Sequence, residues 1–130
     1  MNARHLATLS LLTLAACALE GTPLARDLGL QQRVISYYDD RAIENGANCP
    51  TAQMDTIVHA QVLEDTPAQT VMRLRYHFTD QGQGADSGTP ASNGCDDWGE
   101  RTFTFAKRSD GHLEVVAMSG SQRQIGGGEG

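Results

Sequence analysis

Two arginines and two histidines are the side chains of this chain whose types and spacing could do chemistry. Arg73, Arg75 and His77 alternate with apolar residues, so they form a cationic row on one face of a predicted strand. Such a row could receive an anionic ligand. It could equally pair with acids of neighbouring strands, such as Glu114, or be solvated. We take Arg73, Arg75, His77 and His59 as a speculative ligand-binding set.

His59 and His77 lie on neighbouring predicted strands and could come close together. With Asp55, or with acids of a later loop, they could form a zinc site or an acid/base pair. However, no ligand spacing repeats and no third ligand suggests itself. We therefore predict no catalytic residue, no metal and no cofactor, and expect polar side chains on the solvated face of a sheet.

A group of acids between residues 80 and 100 invites a calcium interpretation, because alternating carboxylates around a glycine turn suit that ion. These acids are Asp80, Asp86, Asp96, Asp97 and Glu100. The run that starts at Asp80 departs from a calcium loop, since its third and fifth positions are Gly82 and Gly84. A solvated loop is the better prediction. Serine-nucleophile, phosphate-loop and dinucleotide motifs are absent from the sequence.

The elements that must position these residues begin with one helix. Residues 27–44 carry apolar side chains near helical spacing, which predicts an amphipathic helix. Asp27 is the expected N-cap. Asn45 and Gly46 tolerate the left-handed conformation and are the expected stop.

Four stretches of period two follow, at residues 54–65, 69–79, 100–108 and 112–118, with a long polar loop at 80–99. In the first, Thr56, Val58, Ala60 and Val62 are predicted to share one face. The second alternates most cleanly, and Leu74 and its apolar neighbours are expected under the helix. This set is Met72, Leu74, Tyr76 and Phe78, packed against Val34 and Tyr38.

The element order predicts an α+β domain in which one N-terminal helix packs on a four-stranded antiparallel meander, as a two-layer sandwich. This order is similar to that of cystatin-like and nuclear-transport-factor-like domains. The similarity rests on element order alone and carries no function.

The N-terminus resembles the export signal of bacterial lipoproteins. Arg4 and His5 precede an apolar run that is too short for a membrane span of ~20 residues, and the run ends in Leu14-Ala15-Ala16-Cys17, like a lipobox. The resemblance implies cleavage before Cys17, diacylation of its thiol and a membrane-tethered chain. Ala18, by similarity to enteric lipoproteins, favours the outer membrane. The alternative is an ordinary signal peptide cleaved after Ala18.

If Cys17 is acylated, Cys49 and Cys95 remain as a pair, and an oxidising envelope would join them. Loop entropy gives such a bridge ~4 kcal/mol of stabilisation. A metal site or a redox pair would be the alternative. Neither has a C-x-x-C spacing or a nearby histidine to support it.

Composition excludes one class of partner. The net charge is −6, and it becomes −7 when residues 1–16 are removed, because that segment carries one Arg and no acid. A chain this acidic, with one Lys, lacks the basic patch that nucleic acids require.

The sequence thus predicts a signal peptide at 1–16, a lipid-anchored tether at 17–26, the α+β domain at 27–118 and a disordered tail at 119–130. The protein is expected in the bacterial envelope, facing the periplasm, with the membrane and an unknown envelope protein or small molecule as partners. We expect a non-enzymatic interaction or structural role. The alternatives are a small-ligand module with a helix–sheet cavity and, third, a hydrolase-like or metal-dependent enzyme.

Overall fold

The computed structural model describes residues 19–80 and 94–124. The predicted signal peptide, the predicted acylation site Cys17 and the loop acid Asp86 lie outside these residues. No helix in the described ranges is long and apolar enough to cross a membrane.

A short helix, α1 (Pro23–Arg26), precedes the main helix, α2 (Leu28–Arg41). The Asp27 side chain accepts a hydrogen bond of 3.1 Å from the backbone nitrogen of Leu30, which confirms the predicted N-cap. The helix ends three residues before the predicted Glu44. Ala42 turns to an extended conformation there and pairs with Gln122.

Four strands follow: β1 (Gln53–Asp65), β2 (Gln69–Thr79), β3 (Asp96–Lys107) and β4 (Leu113–Met118). They form one antiparallel sheet in the order β1-β2-β3-β4, so each strand pairs with the next one along the chain. The predicted α+β fold of helix plus antiparallel meander is confirmed. β3 begins four residues before the predicted Glu100, so part of the predicted loop is strand.

The two faces of β2 are those that its alternation predicted. Thr70, Met72, Leu74, Tyr76 and Phe78 are buried, whereas Arg73 and Arg75 are exposed. The apolar members of this set share one core cluster with Val34 and Tyr38 of α2. This arrangement follows from desolvation, since a large apolar side chain gains ~1.5–3 kcal/mol on burial and an unpaired buried guanidinium costs more than that.

The predicted faces of β1 are wrong. Its buried residues are Met54, Ile57 and Ala60, at a spacing of three rather than two. The register with β2 shifts at three places along β1. Each irregularity changes which side chain points inward, and strict alternation cannot anticipate it.

The domain extends beyond both predicted boundaries. Leu24 is fully buried, and the Thr22 hydroxyl donates to the Leu19 carbonyl at 2.7 Å, so residues 19–26 belong to the folded domain rather than to a tether. At the other end, Arg123 donates to the carbonyls of Asp39, Ala42 and Pro50. Backbone hydrogen bonds of Ser119, Ser121 and Arg123 also hold the segment 119–124, and such bonds leave no periodic pattern in a sequence.

Cys49 and Cys95 form a disulfide, as predicted, with their sulfurs 2.01 Å and their Cα atoms 5.7 Å apart. The bond joins the turn after α2 to the residue before β3. Nearby, the Asp80 carboxylate accepts hydrogen bonds of 2.8 Å from the backbone nitrogen and the hydroxyl of Thr51. Both ends of the segment between β2 and β3 are therefore held at this end of the sheet.

A buried ionic cluster formed by Glu44, Arg101, Tyr38 and Tyr76 lies within the core. Glu44 accepts hydrogen bonds from the hydroxyls of Tyr38, at 2.6 Å, and Tyr76, at 2.5 Å. Arg101 is 5 % exposed and lies 3.3 Å from Glu44. Burial, and then the hydrogen bond to Glu44, raises the pKa of both tyrosines above their usual range.

The Arg101 guanidinium also binds the segments that follow α2 and β4. It donates to the carbonyls of Ile43, Ser119 and Ser121 at 2.7–3.1 Å. Gly120 makes room for it, because a Cβ there would lie 2.6 Å from Arg101 Nη1. Because Nε also donates to the Tyr76 hydroxyl, all three nitrogens of this buried guanidinium have hydrogen-bond partners.

Candidate functional site

The sheet face opposite the core, here called the outer face, brings together the four predicted ligand residues. In the register of β1 with β2, His59 lies opposite Arg75, and Thr56 lies opposite His77. Arg73 lies two residues before Arg75 on β2 and therefore on the same face. The alternation of β2 predicted that Arg73, Arg75 and His77 share one face, and they do.

His77 is held between two carboxylates. Its Nδ1 lies 3.2 Å from Asp55 on β1, and its Nε2 lies 2.6 Å from Asp96 on β3. Ionised carboxylates only accept hydrogen bonds, so His77 donates to both of them when its ring is protonated. Partial desolvation lowers the pKa of His77, but the hydrogen bonds and charges of Asp96 and Asp55 outweigh it and raise the pKa above its usual value. His77 therefore links three strands.

This geometry does not favour the zinc or acid/base interpretation. His59 faces Arg75 rather than His77, and both nitrogens of His77 are already engaged by carboxylates. Across residues 19–80 and 94–124, no group of three or more His, Cys, Asp or Glu side chains could hold a metal ion.

The acids considered for a calcium site lie apart in the structure and have different partners. Asp80 binds Thr51, and Asp96 binds His77. The carboxylate of Asp97 accepts from the backbone nitrogen of Trp98, and Glu100 lies on the outer face opposite Arg75. The acids that the structure describes do not converge on one point.

The most exposed aromatic side chain of the outer face is Trp98, the single tryptophan of the chain. It is 50 % exposed. Its ring meets that of His77 edge-on at 5.0 Å, and the Arg75 guanidinium lies 5.9 Å from its centre. Beside it runs a shallow depression of about 500 Å³, here called the Trp98 groove, lined by Val58, His59, Arg75, Trp98 and Glu100.

Local packing explains why the tryptophan projects outward. Gly99 lies opposite Tyr76, and a Cβ at Gly99 would lie 2.6 Å from the Tyr76 ring. Only glycine leaves room for that ring on the inner face, and the alternation of β3 then places Trp98 on the outer face. Trp98 is absent from the predicted site residues because the predicted loop at 80–99 includes it. The alternation of Asp96, Trp98 and Glu100 was the available signal.

The polar side chains around the groove are available to form hydrogen bonds with a ligand. Within the described residues, the side chains of His59, Arg75 and Glu100 make no hydrogen bond or ion pair. The Arg75 guanidinium has a cation–π contact with the Trp98 ring. The groove therefore combines a flat apolar surface with a fixed cation, an imidazole and a carboxylate. It can hold a ring-shaped ligand that has an apolar face and a polar rim.

Comparisons with protein-family models, curated proteins and solved structures found no match to this chain.

Proposed function

We propose that this chain is an exported, lipid-anchored protein of the bacterial envelope with a non-enzymatic binding role. The lipobox-like residues 14–17 support the anchor at Cys17, and Ala18 favours the outer membrane. The Cys49–Cys95 disulfide is consistent with an oxidising compartment. We also infer that α2 covers the inner sheet face as a second layer, since both contribute to one core cluster.

The ligand that we propose for this role is a saccharide, bound in the Trp98 groove. The observation that carries the proposal is a half-exposed Trp98 flanked by Arg75, His59 and Glu100. A sugar ring presents an apolar C–H face, which stacks on an aromatic ring, and a rim of hydroxyls. Those hydroxyls pair with charged planar groups such as guanidinium and carboxylate.

Two other partners fit the geometry less well. A stable protein interface has an apolar core, but the side chains around Trp98 on the outer face are mainly charged or hydroxyl-bearing. A ligand cavity between helix and sheet has little room, because Tyr38, Tyr76 and Phe78 are fully or almost fully buried there. A volume of about 500 Å³ on the outer face is within the range of small-ligand sites.

Calorimetric titration with soluble glycan fragments of the cell wall tests this proposal. Trp98→Ala should weaken binding by about tenfold or more, equivalent to ~1.4 kcal/mol of lost stacking, and Arg75→Gln should also weaken it. Arg73→Gln is the matched control, because Arg73 is a cation of the same strand face that does not line the groove. Equal affinities of the wild type and Trp98→Ala, or no binding by the wild type, would overturn the proposal.

The anchor is tested separately by fractionation of cells that express the full chain. Cys17→Ser should move the protein from the membrane to the soluble fraction without unfolding it, because residue 17 precedes the folded domain. A wild-type protein that is already soluble, with residues 1–18 removed, would contradict the lipid anchor.

A further inference from the structure

The start of the domain and two hairpin turns lie at one end of the molecule, here called the anchor end. In an antiparallel meander, the β1–β2 turn at 66–68 and the β3–β4 turn at 108–112 lie at the same end of the sheet. The Lys107 backbone nitrogen donates to the Ala68 carbonyl at 2.9 Å, which joins the two. Pro23 and Arg26 of α1 line a cleft together with residues of both turns.

The length of chain before the domain determines which end faces the membrane. Cys17 precedes Leu19 by two residues, a span of at most ~7 Å. Leu19 already packs against the core. A lipid on Cys17 would therefore hold the anchor end, rather than the disulfide end, against the bilayer.

The cleft at the anchor end has a volume of about 550 Å³, and its lining holds more basic than acidic side chains. Its charged lining consists of Arg26, Lys107, Arg108 and His112 against Asp27 and Asp65. Both acids are engaged. Asp27 caps α2, and Asp65 accepts a hydrogen bond from Lys107, which holds the pKa of Asp65 below its usual value.

Exposed apolar side chains collect at the same end. Of the five large apolar side chains that are exposed in the described part of the chain, Leu28, Val62 and Leu63 lie at the start of α2 or near the end of β1. Leu28 is 75 % exposed. Apolar side chains next to cations are the pattern of a surface that enters the interfacial layer of a bilayer.

We propose that the anchor end binds phospholipid head groups, with a lipid phosphate at the cleft beside Arg26 and Arg108 and Leu28 among the upper acyl chains. Arg108 pairs with Glu114, Lys107 with Asp65 and His112 with Asp110. Among the described residues, Arg26 is the cation of this cleft without an acidic partner. This inference rests on the proposed lipid anchor at Cys17. In this orientation Trp98 lies away from the bilayer, because it is nine positions from Lys107 along β3, a distance of ~30 Å. The Trp98 groove then stays open to its ligand.

The single tryptophan provides the test. The acylated chain that begins at Cys17 is reconstituted in nanodiscs of phosphatidylglycerol and phosphatidylcholine whose acyl chains are brominated, and tryptophan emission is measured. A second protein carries Leu28→Trp with Trp98→Phe. Because Trp98 lies ~30 Å from the anchor end, residue 28 should be quenched about fivefold more strongly than residue 98. Arg26→Gln in the second protein should reduce quenching about twofold, and Arg73→Gln, an exposed cation of the outer face, should not.

The outcomes separate the two proposals. A purified chain whose mass lacks the acyl groups overturns both the anchor and this inference. An acylated chain in which residue 98 is quenched as strongly as residue 28 overturns the orientation alone. Quenching that is unchanged in Arg26→Gln overturns recognition of the head group.

Discussion

The buried ionic cluster should contribute more to stability than any exposed ion pair of the molecule, and Glu44→Ala tests this. The substitution removes the counter-charge of Arg101 and the shared acceptor of the Tyr38 and Tyr76 hydroxyls. The side chain of Arg101 is 5 % exposed and that of Glu44 14 %, so solvent can replace little of what is lost. Breaking a buried pair by removing one partner costs ~3–5 kcal/mol.

Urea unfolding followed by circular dichroism measures this loss. For a domain of this size, the expected change corresponds to a midpoint lowered by about 2–3 M urea. Glu114→Ala is the matched control, because Glu114 pairs with Arg108 while both side chains are about half exposed. That control should lose less than ~1 kcal/mol.

A second variant separates charge from hydrogen bonding. Glu44→Gln keeps an acceptor for the tyrosine hydroxyls but removes the negative charge, so its loss of stability should lie between those of Glu44→Ala and Glu114→Ala. The reasoning is refuted if Glu44→Ala destabilises no more than Glu114→Ala. The carbonyl groups around Arg101 would then be sufficient partners for its charge.

Three further predictions concern other parts of the domain. Leu74→Ala should cost ~2–5 kcal/mol of unfolding free energy and Arg73→Ala less than ~1 kcal/mol; equal losses in urea unfolding would contradict the assignment of the two faces. Because the pKa of His77 is raised above its unfolded value of about 6.5, its contribution to stability should be complete below that pH and lost as pH rises through the raised pKa. NMR titration should show a lower His77 pKa in Asp96→Asn than in the wild type, and an unchanged value would argue against the pair. Cys49→Ser should lower stability by about 2–5 kcal/mol, measured against the wild type under non-reducing conditions, and a loss below that range would show that the disulfide is not needed to hold the segment between β2 and β3.

A local sequence pattern was sufficient to predict the structure of a segment that has its own periodicity. The N-cap at Asp27 depends on residues within one turn of it, and the alternation of β2 depends on its own side chains. The disulfide followed from counting cysteines, since the predicted acylation of Cys17 leaves Cys49 and Cys95 as a pair. None of these inferences needed a distant partner.

The sequence-based predictions were wrong where the position of a residue in the sheet depends on a neighbouring strand. The irregularities of β1 arise from its pairing with β2, so Ile57 points inward although alternation assigned it to the opposite face from Ala60. Trp98 is in a strand because β2 extends the sheet to Thr79 and pairs with it. A single segment carries no information about the length of its partner.

The amino-acid sequence alone was enough for the class of fold, the order of the elements, the faces of β2 and the pairing of the cysteines, because each depends on short-range pattern or on residue counts. The tertiary structure alone decided that Arg101 is buried, that His77 lies between two carboxylates and that Trp98 borders a groove with Arg75. Those relations join residues 19–57 positions apart. Which distant polar groups meet is determined by strand register and by the space that glycines such as Gly99 and Gly120 leave, and neither is visible in a local pattern.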